Sequence, residues 1–167
     1  MIALGGVLAM TLCLAAASAQ PALSNAQPAF SSAADSWTWP VEAPYRILRP
    51  FIAPSTPYSA GHRGIDVAVP SARVFAPSAG VVHFAGVVVD RPVLSIRHPG
   101  GVITSYEPVI AAVVEGQAVA RGEVIGEVQP GHCSVLCVHF GVRRDGEYVS
   151  PLNYLGGIAR SILLPTR

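Results

Sequence analysis

His62 and Asp66 stand four residues apart in Gly61-His62-Arg63-Gly64-Ile65-Asp66-Val67-Ala68-Val69-Pro70, and His139 lies far downstream in Cys137-Val138-His139-Phe140. Two imidazoles and a carboxylate are the donor set of an open zinc site, with three N/O ligands and a fourth position free for water. On a straight strand, residues four apart share a face but lie about 13 Å from each other. That is too far for two ligands of one ion, so the chain must bend between them, and Gly64 is the residue best able to bend it. Cys137 and His139, two apart, face the same way on a strand. A lone histidine in an apolar strand is more often a hydrogen-bonded core or edge residue than a ligand. His83 in a strand, His98 in a hairpin turn and His132 beside Gly131 in a loop all read that way.

The elements that would hold these residues are strands. Gly61, Gly64 and Pro70 make a helix improbable around His62. Arg46 to Phe51 reads as a short strand stopped by Pro50, and a loop with Pro54, Pro57 and Tyr58 follows from Ala53 to Ala60. From Val74 onward the chain is β-branched and aromatic runs broken by glycine. Gly86 is a candidate bulge or bend in the run from Gly80 to Val89. His98-Pro99-Gly100-Gly101 carries the chemistry of a hairpin loop. Leu136 to Arg143 is another strand and Asp145-Gly146 a tight turn. Short strands at regular turn spacing predict an all-β fold, an antiparallel β-sandwich or open barrel. Trp37 and Trp39, at strand spacing, can pack on one face and mark the start of the domain.

With 167 residues, 51% hydrophobic and 13% charged, the chain suits one domain with a real core, while 16 Gly and 15 Pro call for many turns and little helix. A net charge of +1 leaves no basic face for nucleic acid. Ile2 to Ala17 is a largely apolar run ending in Ala17-Ser18-Ala19-Gln20, a small-x-small pattern, so residues 1–19 read as an export signal despite lacking Lys or Arg before the apolar core. A membrane anchor is the alternative, but the run is short for a span. Residues 20–36, rich in Ala, Ser, Pro and Gln, read as a flexible spacer. The expected domain is 37–156, with 157–167 a tail or final short strand. Export leaves Cys133 and Cys137 as an even pair in an oxidising compartment, which favours a disulfide over two free thiols. Such a bridge would pin the strand that carries His139.

The stretch from Gly61 to Pro70 resembles the first signature of the lysostaphin-type zinc metallopeptidases, which cut peptide cross-links in bacterial peptidoglycan. The resemblance continues through Val74-Phe75-Ala76-Pro77-Ser78-Ala79-Gly80-Val81-Val82, Thr104-Ser105-Tyr106 and Gly116 to Gly126. It closes with Val138-His139-Phe140-Gly141 and Ser150-Pro151-Leu152, and covers about residues 58–155. It implies Zn2+ held by His62, Asp66 and His139. It also implies a zinc-bound water acidified towards neutral pH, and a secreted, wall-associated protein acting on peptidoglycan.

Two further histidines of that family, a general base and an oxyanion stabiliser, are replaced here. The first His of its His-x-His pair is Cys137, and the His of its Tyr-x-His-Leu is Pro108. A proline side chain cannot shuttle a proton, and a bridged cysteine has no thiolate. If reduced, Cys137 would instead be a candidate fourth zinc ligand. Glu107 and His132 are the candidate catalytic substitutes, and Tyr58 is expected to wall the cleft beside His62. Three readings follow: an active zinc peptidase, a zinc-stabilised module that binds peptidoglycan or regulates an amidase or other wall hydrolase, and a β-sandwich without metal. Retention of all three ligands favours the first.

Overall fold

The computed structural model describes residues 37–156, Pro57 excepted; the expected export signal, spacer and tail lie outside the described residues. Eleven strands follow in order: β1 (Arg46–Arg49), β2 (Gly64–Ala68), β3 (Arg73–Phe75), β4 (Gly80–Val88), β5 (Arg91–His98), β6 (Val102–Glu107), β7 (Val109–Ala111), β8 (Ala118–Val119), β9 (Val124–Val128), β10 (Cys137–Arg144) and β11 (Glu147–Val149). One turn of helix, α1 (Leu152–Leu155), closes the series. All the strand pairs are antiparallel. The main sheet runs β1-β2-β10-β6-β5-β4-β8, with β11 joined to β10, and a second sheet runs β3-β9-β7. The fold is all-β, as the turn spacing predicts.

Alternation along the strands gives the main sheet two different faces. One carries Ile65 and Val67 of β2, Val138, Phe140 and Val142 of β10, Tyr106 of β6, and Leu94 and Ile96 of β5, all fully buried. These pack in one cluster with Val74, Val109, Ile125 and Val128 of the second sheet. Each such side chain contributes about 1.5–3 kcal/mol of burial. The opposite face carries Asp66, His139 and Glu107, which lie side by side because His139 pairs with Asp66 on one flank and with Glu107 on the other.

The β5–β6 hairpin turns at Pro99–Gly101, where Gly100 and Gly101 both have φ of +74°, a left-handed backbone that glycine adopts without strain. Three local expectations are corrected. The irregularity in β4 falls between Val82 and Phe84, at His83, whereas Gly86 pairs in register with Val93. Bulge position follows strand register, which residue type alone does not fix. Trp37 and Trp39 take different partners: Trp37 lies against His98 and Tyr154, and Trp39 stacks on Tyr45. The Cys133–Cys137 disulfide is present, with Cα atoms 6.0 Å apart, but the strand holding His139 is already fixed by ladders on both sides.

Candidate metal centre

His62 does not belong to β2. It forms an isolated antiparallel bridge with Ile52, with reciprocal backbone hydrogen bonds, and the chain bends at Arg63 before β2 begins. That bend brings the His62 ring back over Asp66. Gly64, expected to make the bend, lies inside the strand and serves otherwise: a Cβ there would sit 2.4 Å from the Phe140 carbonyl oxygen and 2.6 Å from His139 Nε2. Its bare Cα leaves room for the His139 ring.

The donor atoms converge. Asp66 Oδ1 lies 3.0 Å from His62 Nε2 and 2.8 Å from His139 Nδ1, and the two ring nitrogens are 3.1 Å apart. These separations are slightly inside the edge of a tetrahedron with bonds of about 2.0–2.2 Å, roughly 3.3–3.6 Å. His62 Nδ1 is 2.7 Å from the Pro50 carbonyl oxygen, which only accepts, so Nδ1 carries the hydrogen. In the neutral ring Nε2 therefore presents a lone pair to a carboxylate oxygen, an arrangement that calls for a cation between them. A backbone carbonyl that fixes the tautomer of a ligating histidine is a usual outer partner of a metal site. The residues present fit a zinc ion.

Burial and charge compete at these groups. Burial pushes the Asp66 carboxyl upward, but hydrogen bonds from His139 and His132 and the nearby charges of His62 and His139 hold it below the usual value. Burial lowers His139 against the opposing pull of Asp66. Both shifts favour the deprotonated ligand forms that a metal needs.

Of the candidate catalytic residues, His132 is brought to the cluster, with Nε2 3.1 Å from Asp66 Oδ1 and its ring 5.7 Å from that of His139. The only sequence signal for this is the Cys133–Cys137 pair, whose bridge ties the residue after His132 to the strand of His139. Glu107 stands opposite His139 on the same face, close enough to favour the protonated His139 ring, with Oε2 3.9 Å from Arg91 Nη1. The sulfurs of Cys133 and Cys137 also lie near His132, but both are consumed in the disulfide, so Cys137 is not a fourth ligand in this state. Tyr58 is 99% exposed and packs against nothing that would make it a wall of the cleft. A pocket of about 460 Å³, absent from the sequence reading, opens beside His132 between Arg91, Pro108 and Gln129.

The sequence model of peptidase family M23 matches residues 60–151, more than half of the chain. Uncharacterized proteins of Mycobacterium tuberculosis and Mycobacterium bovis are each 42% identical over 125 residues, 70% of this chain and 50% of theirs. The chain thus spans about half the length of these curated relatives. A zinc-containing peptidase from Vibrio cholerae superposes with a TM-score of 0.56 at 26% identity, over 69% of this chain and 39% of that one. The SpoIIQ–SpoIIIAH pore-forming complex matches with a TM-score of 0.62 at 23% identity, over 73% and 92% of the two chains. Lysostaphin matches at 0.56 and 20%, over 73% and 56%. At those last two identities the likeness is one of fold. The family match runs through His62, Asp66 and His139 alike, and the chain belongs to peptidase family M23.

Proposed function

We propose that this domain is an exported zinc metallopeptidase acting on peptide cross-links of bacterial peptidoglycan. The observation that carries the reading is the convergence of three donors with a histidine lone pair turned on a carboxylate. A zinc ion bound there would supply an activated water and polarise a scissile carbonyl. His62, Asp66 and His139 would hold the ion, and the Pro50 carbonyl keeps His62 in the tautomer that can ligate it. Glu107, on the same face as His139, is the residue to take the proton that Cys137 and Pro108 cannot. The pocket beside His132 has the volume of a small-ligand cleft and gives a peptide chain somewhere to lie.

A second reading is favoured by those same two positions. Without histidines at 108 and 137, the centre would bind metal and wall peptide, or a partner such as an amidase, without cutting. The two are separated by measuring new amino groups released from purified peptidoglycan by the zinc-loaded, oxidised protein beside His139→Ala. Release by the wild type alone is the expected result. Zinc bound at one per chain with no release by either protein would establish the second reading.

A further inference from the structure

The disulfide is placed oddly for a structural staple. One end, Cys137, opens β10, is 1% exposed and pairs with Ala68, so the ladders already hold it. The other end, Cys133, lies in the connection between β9 and β10, where residues 130–135 belong to no strand and Pro130, Gly131, Ser134 and Val135 are exposed. Backbone bonds tether this connection at its two ends, Gln129 to the Pro108 carbonyl and Val69 to the Leu136 carbonyl. Between them, the bridge is the covalent link that ties the loop down at its middle. The residue it immediately controls is His132, whose Nε2 reaches Asp66 Oδ1 at 3.1 Å.

We propose that the Cys133–Cys137 disulfide is a clamp for His132, and that His132, by donating a hydrogen bond to Asp66, sets the metal affinity of the centre. This rests on the metal reading above, and makes His132 a positioning residue. Unlike His62, whose hydrogen is spent on the Pro50 carbonyl, His132 is free to carry its hydrogen on Nε2 and donate it to Asp66 Oδ1. A hydrogen bond donated to a ligating carboxylate fixes its orientation before the ion arrives, and losing such an outer partner typically weakens metal binding about 10–100-fold. Here the partner comes from a loop whose own backbone does not hold it in place. The disulfide removes that freedom, and it occupies the very position, Cys137, where a histidine is missing from the resembled pattern.

The test is zinc affinity, measured by competition with a chromogenic chelator. It uses the full mature protein in oxidised form, the same protein after phosphine reduction, His132→Ala, His132→Gln, Cys133→Ser/Cys137→Ser and the triple variant. His132→Ala and loss of the bridge are each expected to weaken zinc about 10–100-fold. The triple variant is expected to be no weaker than either, because both changes remove one interaction. His132→Gln keeps a side-chain donor and is expected to recover part of the loss, which a merely structural role would not allow. Full affinity after reduction, multiplying losses in the triple variant, or equal loss in His132→Gln and His132→Ala would each overturn the proposal. Reduction of the folded protein serves if the serine variant does not fold. Zinc binding without amino-group release would sink the peptidase reading and leave this one standing, whereas a wild type that binds no zinc sinks both.

Discussion

Two histidine clusters occupy opposite faces of one sheet, and they are built to opposite rules. On the core side, His98 Nδ1 lies 2.9 Å from the Ala79 carbonyl oxygen and so donates to it, leaving Nε2 to accept from Thr104 Oγ1 at 2.9 Å. Thr104 Oγ1 in turn accepts from the Tyr106 hydroxyl at 2.8 Å. Every polar side-chain group in that chain has a hydrogen-bond partner, all three residues are buried, and Trp37 covers the ring at 4.7 Å. On the other side His62 also spends its Nδ1 hydrogen on a backbone carbonyl, but its Nε2 lone pair faces Asp66 and His139. A buried polar chain that closes on itself adds order to a core. One that turns a ring lone pair on a carboxylate oxygen is completed by a cation. The difference lies in what the ring meets beyond its first hydrogen bond, not in burial or in the histidine itself.

The sharpest way to break this contrast is to remove one member from each cluster. Asp66→Ala takes away a ligand that touches all three imidazoles. Zinc affinity is expected to fall by more than the roughly 100-fold that loss of an outer partner costs, as measured by chelator competition. Thr104→Val keeps the shape of the side chain but strands the Tyr106 hydroxyl and His98 Nε2 in the core. Leaving buried groups unpaired in this way costs about 1–3 kcal/mol. The expected outcome in urea denaturation is a lower midpoint with unchanged zinc affinity. If Thr104→Val weakened zinc as much as Asp66→Ala, the two faces would be one coupled unit and the contrast would fail.

How far each cluster could be read beforehand follows the same division. That His62, Asp66 and His139 belong together was legible only in part from their types and, for the first two, their spacing; choosing His139 over the other histidines took the resemblance of the surrounding motifs to a known family. The all-β class was legible because short β-branched runs recur at regular turn spacing. The bend was expected at the right place but on the wrong residue: it falls at Arg63, because His62 pairs with Ile52 outside β2, and Gly64 is needed for the space its missing Cβ leaves to His139. His132 could not be placed, since its position depends on the path of a loop and on a bridge closing within it. His98 read as a turn residue because the hairpin begins beside it. Its burial depends on Trp37, distant in sequence, and on the Ala79 carbonyl. Contacts between distant segments leave no periodic trace in either one.

The smallest expected effect tests the closed cluster by itself. Burial lowers the proton affinity of His98, only partly opposed by the hydrogen bond to the Ala79 carbonyl. Above the ordinary value of 6.5, both folded and unfolded chains carry a neutral ring, and His98 adds no pH dependence. As pH falls through that value, the unfolded chain takes up a proton that the folded one resists, so stability falls with falling pH until the folded ring titrates too. A single proton gives a slope of at most about 1.4 kcal/mol per pH unit. His98→Gln removes the titrating group, so it is less stable than the wild type at pH 7.5 but loses less between pH 7.5 and 5.5. The comparison is made on urea midpoints, since every other ionisable group is common to the two proteins and cancels in the difference. Parallel losses in the two proteins would mean that the folded His98 ring accepts a proton as readily as the unfolded one, and that its cluster is not closed to charge.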